Sequence, residues 1–525
     1  MDLVPRTTQG SPEHYRIGRW ILVSSILASG MAFIDATALS VALPALQAEY
    51  SATSADLLWI NNGFSLPLAA LLLLGGGLGD AFGRKRVFVF GIIIFAAASL
   101  ACGCASGTQS LIAARVVQGL GAALMIPGSL ALVSTFFAAE KRGKAIGTWS
   151  AFSVVATAIG PVLGGLLARV GLWRWVFFIN LPLAAVALTA LAVKIPELNH
   201  PRENARLDYK GALFVALGLA GINYGLIALP AAGGANRFVL GSIGCGLLSL
   251  LLFVFVESRA ENPLLPLSLF KSKMLIAAGL LGLLVYTAFH GVLFFLPLNL
   301  IQVQAYDPAL AGATQLPLMI LLLVLSRPAG SFVDRRGPRL PLTIGPAAAG
   351  LGFLLLGWPG ITGGPQTFCV TFLPGLLLLG AGLGVTMAPL SATVMASVCS
   401  SRQGLASGIN STVSRLSAVL AIALVGPLAA IAFEQSLVHR VRPLGLSAHA
   451  MAQLVVESSR LADARVPSGL SAETARAISA SIKLAFVDAF RVVAGVAAGL
   501  SWVGALVGAW SFRRLRPSGV AEGLH

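Results

Sequence analysis

Two charged side chains stand where hydrocarbon would be expected. Asp35 lies in Ile34-Asp35-Ala36-Thr37-Ala38-Leu39-Ser40-Val41-Ala42-Leu43-Pro44, past the middle of an apolar stretch, with no basic residue within a helical turn. Arg115 opens the run Arg115-Val116-Val117-Gln118-Gly119-Leu120-Gly121-Ala122-Ala123 in another such stretch. A carboxylate near the centre of a spanning helix costs about 2.5–3.5 kcal/mol on insertion scales, so it should face a cavity or a partner, where it can take up and release a proton. Leu111, Arg115, Gln118, Gly119 and Ala122 share one helical face, which sets a guanidinium beside small residues that allow close packing. Both charges fall in the outer half of their stretches, so a water-accessible pair is geometrically reasonable. A purely structural ion pair is the alternative.

Residues of this kind need helices in a bilayer to position them. The 525 residues are 57% hydrophobic and 11% charged, with a mean hydropathy of +0.86, whereas about a quarter of a soluble domain is charged. Windows of about 20 residues place spans near 20–44, 57–79, 87–107, 110–137, 144–168, 174–195, 211–231, 238–256, 274–301, 309–329, 340–358, 367–394, 404–432 and 486–512. The expected fold class is an all-α polytopic membrane protein with about fourteen transmembrane helices. The first run, from Trp20 to Pro44, is too long for a secretory signal core. The five cysteines lie in or beside apolar runs, which argues against a disulfide framework and for helix packing. A formal charge of +16 does not imply nucleic acid, because the basic residues sit in short loops between apolar runs.

The chain also repeats itself. Gly76-Gly77-Leu78-Gly79-Asp80-Ala81-Phe82-Gly83-Arg84-Lys85-Arg86 returns as Gly330-Ser331-Phe332-Val333-Asp334-Arg335-Arg336-Gly337-Pro338-Arg339. Glycine, an acid four positions on, a second glycine three further and then basic residues make a tight charged elbow between two helices. Lys and Arg concentrate in 84–86, 141–144, 194–210, 259–273, 335–339 and 513–516, against only Arg169, Arg174 and Arg237 in the opposite short loops. That asymmetry predicts both termini in the cytoplasm. The stretch 433–483 is the one long outer loop and reads as a spacer. Asn62, His290 and Gln315 are polar at membrane depth and are candidates to line a cavity.

With its two elbows the chain resembles the major facilitator superfamily, whose signature loop G-x-L-x-D-x-x-G-R-K/R joins the second and third helices of each half. The first copy follows span two and the second follows span ten, so two spans stand between the halves. This is similar to the fourteen-helix drug:proton antiporter branch. The resemblance extends to D-x-T-x-x-x-V-A-L-P at Asp35, R-x-x-Q-G-x-G-A-A at Arg115, and the W-R-W-x-F-x-x-N-x-P run from Trp173 to Pro182. It also covers the antiporter stripe G-x-x-x-G-P-x-x-G-G at Gly160, Pro161, Gly164 and Gly165, with Ala156 in place of the first glycine. Small residues every fourth position suit a close crossing, expected at the interface between bundles.

The resemblance implies two six-helix bundles, 20–195 and 273–512, the second including loop 433–483. An inserted helix pair with cytoplasmic linkers covers 196–272, and tails cover 1–19 and 513–525. It implies Asp35 and Arg115 as the proton-coupling and substrate pair. Gly76, Asp80, Gly83, Arg84, Asp334, Arg335 and Gly337 would form a conformational latch. The expected activity is proton-coupled antiport of lipophilic small molecules or drugs across the cell membrane by alternating access, driven by a proton gradient with no cofactor and no metal. The span Ala309 to Pro328 has no acid, which weighs against dicationic substrates. Expected partners are the small-molecule substrate, protons and the lipid bilayer, with no nucleic acid. The chain is expected to act as a monomer, with a periplasmic or outer-membrane adaptor left open. A dedicated exporter of one metabolite is the alternative. A membrane enzyme or sensor is disfavoured, since the sequence offers no phosphate loop, metal cluster or nucleophile beside a base.

Overall fold

A segment that is apolar all round has one way to satisfy its own backbone in hydrocarbon, and that is to coil. The computed structural model describes residues 12–137, 139–195, 208–229, 236–260, 263, 272–397 and 403–513, and every regular element among them is helical. The helices are α1 (Pro12–Tyr50), α2 (Ser54–Phe82), α3 (Arg84–Gly103), α4 (Thr108–Phe136), α5 (Ala139–Arg169), α6 (Trp175–Phe178), α7 (Asn180–Lys194), α8 (Tyr209–Ala228) and α9 (Arg237–Arg259). There follow α10 (Lys273–Leu298), prolonged by a π turn at Asn299–Val303, then α11 (Pro308–Ala313), α12 (Leu316–Arg336), α13 (Pro341–Gly357), α14 (Phe368–Thr371), α15 (Leu373–Ala396), α16 (Gln403–Val441), α17 (Ala448–Glu457) and α18 (Ala472–Ser511). Helix occupies each of the fourteen stretches expected to span. Among the described residues, eleven helices are long and apolar enough to cross a membrane. The expected tails at 1–11 and 514–525 and the linker parts 196–207 and 264–271 lie outside the described residues.

The chain separates into two units. One comprises Met1–Ala42, Trp59–Ala220 and Cys245–Leu265, the other Leu43–Leu58, Gly221–Gly244 and Pro266–His525, so α1, α2, α8 and α9 each contribute to both. In the first unit, α1, α4 and α5 are joined by polar contacts: the Ser29 and Ser129 hydroxyls meet at 2.8 Å, and Trp149 Nε1 donates to Ser29 Oγ at 3.2 Å. Between membrane helices such bonds and close packing replace the hydrophobic drive that water would supply.

In the second unit, the stretch expected to be a spacer is folded. α16 runs on to Val441 and α18 starts at Ala472, with α17 and a 3₁₀ segment, Ser458–Asp463, between them. Ser447 and Ser471 cap α17 and α18 through their hydroxyls. The guanidinium of Arg460 is nearly buried, held by Asp463 at 3.1 Å and Glu457 at 3.5 Å. Its carbonyl accepts from Gln47 Nε2 at 2.8 Å, and Gln302 Nε2 donates to Gln47 Oε1 at 2.8 Å. Leu454 and Leu461 in the same stretch are buried. Alternating Ser, Ala and charged residues read as solvent-exposed linker, yet one buried arginine with two carboxylates and a few leucines suffices to pin the segment down.

Candidate functional site

The site begins with the elements that bring Arg115 and Asp35 together. Gly63 and Gly119 let α2 and α4 cross closely, since a Cβ at Gly63 would stand 3.2 Å from the Ile112 carbonyl and one at Gly119 would overlap the Phe64 carbonyl. Arg115 is thereby pressed against α2, its guanidinium carbon 4.5 Å from the centroid of the Phe64 ring and its Nε donating to the Ile60 carbonyl at 3.3 Å. Nη1 donates to Asp35 Oδ2 and, at 2.7 Å, to Gln118 Oε1. Both members of the pair are 0% exposed, so the water-accessible pair expected from the sequence is fully enclosed in this structure.

Asp35 has more than one partner. Gln118 Nε2 donates to its Oδ1 at 2.9 Å, and Asn180 Nδ2 to the same oxygen at 3.4 Å. Both amides also donate to Ser99 Oγ, at 2.9 and 3.3 Å. The buried thiol of Cys102 lies 3.7 Å from Gln118 Oε1. Donors from α4 and α7 therefore meet the carboxylate of α1, while α2 and α3 hold those donors through Ile60, Phe64 and Ser99. A buried ion pair of this kind is tolerable because extra hydrogen bonds offset the desolvation of both charges. Gln118 and Asn180 stand in motifs visible in the sequence, but nothing there indicates that their amides meet Asp35. Ser99 lies in an Ala-rich run without any pattern that marks it.

The small-residue stripe of α5 lies against the Asp35 turn itself. A Cβ at Gly160 would overlap Thr37 Oγ1, and one at Gly164 the Ala38 carbonyl. Expected at an interface between bundles, the stripe packs on α1 inside the first unit. Pro161 and Gly165 are buried beside it. Of the cavity candidates, Asn62 is buried on α2, two residues from the Ile60 carbonyl that Arg115 uses. His290, half-buried on α10, and Gln315, buried between α11 and α12, belong to the second unit. On α18, Asp488 touches Arg491 at 3.2 Å and is held more closely by Arg440 of α16, at 2.6 Å.

Both elbows adopt one backbone solution. Gly83, at φ 100°, is the sole residue between α2 and α3, and Gly337, at φ 81°, ends α12 with its N–H on the Val333 carbonyl at 2.8 Å. These are conformations that L side chains rarely adopt. Lys85 Nζ donates to the Ile195 carbonyl at 2.6 Å, placing a positive charge at the C-terminal end of α7, where the helix dipole favours it. Gly76 and Arg84 lie in the same elbow, half-buried, and Arg335 is exposed in the second. The side chains of Asp80 and Asp334 lie outside those described.

Repeated helical elbows and a carboxylate enclosed by donors within apolar helices define a polytopic membrane protein of the transporter kind. The chain belongs to the Major Facilitator Superfamily, whose family model matches residues 25–422. It is 31% identical over 442 residues to the multidrug resistance protein Stp of Mycobacterium tuberculosis, covering 83% of this chain and 81% of that one. It is 33% identical to the tetracenomycin C resistance and export protein of Streptomyces glaucescens, over 76% of this chain and 74% of that one. Among solved structures, a bacterial homolog of the human lysosomal transporter Spinster aligns with a TM-score of 0.63 at 16% identity, over 96% of this chain and 99% of that one, a likeness of fold. Members of the family are transporters and not enzymes.

Proposed function

We propose that the chain is a fourteen-span exporter, with both termini in the cytoplasm, that couples proton entry to the outward movement of lipophilic small molecules by alternating access. The observation that carries this is Asp35, a carboxylate enclosed in α1 and held by the donors of Arg115, Gln118 and Asn180. In this arrangement each hydrogen bond to the carboxylate comes from a donor. Protonation would remove the charge that Arg115 faces and turn an acceptor into a donor. Asn180 Oδ1, which has no hydrogen-bond partner among the described residues, would then accept from the acid after a flip of its amide. Loss of the ion pair would loosen α1 from α4, and the Gly160 and Gly164 contacts would carry the change into α5. The paired elbows would act as the cytoplasmic latch, as the resemblance implies for Asp80 and Asp334.

The test is efflux of a lipophilic monocationic dye from cells, or its uptake into inverted vesicles, comparing wild type with Asp35→Asn, with and without an uncoupler. Export that needs both Asp35 and the gradient supports the proposal; full export by Asp35→Asn under a gradient overturns it. A second reading, a dedicated exporter of one metabolite, is favoured by the relative named for tetracenomycin C. It gains weight if correctly inserted protein moves no dye.

A further inference from the structure

In the second unit a cavity of about 260 Å³ opens between α12, α13 and α15 beside the second elbow. Leu325, Ala329, Phe332, Leu340, Ile344 and Val385 line it, and among the described side chains the lining is apolar. It opens onto an apolar surface on which Ile320 and Val324 are each 58% exposed and Ile344 is 54% exposed. At its mouth, the Arg336 guanidinium carbon lies 5.6 Å from the ring centroid of Phe332, a wall residue. Arg335, Arg336 and Arg339 are all exposed. Three arginines against one aspartate, Asp334, leave this turn positive. The first elbow differs, because Lys85 there is engaged with the end of α7.

We propose that this groove binds an anionic phospholipid, with an acyl chain along Ala329, Phe332 and Val385 and the phosphate on Arg335, Arg336 and Arg339. An apolar slot continuous with the lipid-facing surface fits a hydrocarbon chain. A basic cluster at the membrane boundary attracts anionic headgroups, and guanidinium forks match phosphate oxygens. The site follows from these residues alone; its assignment to the cytoplasmic leaflet rests on the orientation proposed above. A lipid held here would bridge α12 and α13 across the Gly337 elbow and so favour one state of the latch.

Native mass spectrometry of the full-length protein in detergent, titrated with dioleoyl phosphatidylglycerol or dioleoyl phosphatidylcholine, tests this independently of orientation and of transport. Wild type should retain phosphatidylglycerol preferentially. Replacing Arg335, Arg336 and Arg339 together by Gln should weaken phosphatidylglycerol binding by roughly fivefold or more, given the attraction expected per basic residue, while the triple Lys variant keeps the preference. Ala329→Phe, which fills the groove, should lower retention of both lipids. Equal retention of the two lipids by wild type overturns the proposal. So does undiminished phosphatidylglycerol binding in the Gln variant, or loss of the preference in the Lys variant.

Discussion

The two units spend their acids differently. In the first, Asp35 and Arg115 are both 0% exposed and are braced by Gln118, Asn180 and Ser99. In the second, Asp488 and Arg440 are 29% and 34% exposed, with Arg491 and Ser436 as further neighbours. Partial exposure screens the second pair, so its attraction is worth little and its loss would be tolerated. Burial makes the first pair a commitment, since neither charge can lose its partner without leaving the other stranded. The elbows show the same divergence on a common backbone: one has its lysine tied to α7, while the other leaves its arginines exposed beside an apolar groove. A duplicated architecture has kept its turns and separated its chemistry.

This contrast can be broken by substitution. Arg115→Met should cost about 3–5 kcal/mol of unfolding free energy in lipid–detergent micelles, because it strands Asp35. Adding Asp35→Asn to that variant should recover part of the loss; a double variant no more stable than Arg115→Met would mean that the pair does not act as a unit. Gly160→Val forces α5 off the Thr37 turn and should cost about 1–3 kcal/mol, read as a lowered thermal midpoint. Gly83→Ala and Gly337→Ala should each cost about 1–3 kcal/mol, and similar losses would support a shared backbone solution, whereas a loss at one elbow alone would refute it. The smallest effect is expected from Arg440→Ala, below about 1 kcal/mol; a loss as large as that of Arg115→Met would erase the distinction between the two pairs.

Much of the site was legible because hydrocarbon makes polar residues conspicuous. Asp35 and Arg115 could be picked out by cost alone, and the elbows by their repeated spacing, with positive φ at Gly83 and Gly337 giving the physical reason for those glycines. Asn180 and Gln118 were visible as polar residues in recognisable runs, but not as ligands of one carboxylate. Ser99 was invisible, because a serine in an Ala-rich helix is ordinary until a neighbouring helix presents an amide to it. The folding of the stretch between α16 and α18 was not legible, because its few anchoring residues carry no periodic signal.

The sequence by itself determined that this chain is a bundle of apolar helices with two matching elbows and an acid and an arginine at membrane depth. Length, hydropathy and glycine spacing act locally, along one helix or across one turn. The tertiary structure decided which helices meet: that the α5 stripe packs on the Asp35 turn of α1, that Asp35 is enclosed instead of wet, and that an apolar groove lies beside the second elbow. Those outcomes depend on which small residues face each other across helices far apart in the chain, and a single sequence does not encode that pairing in any local pattern.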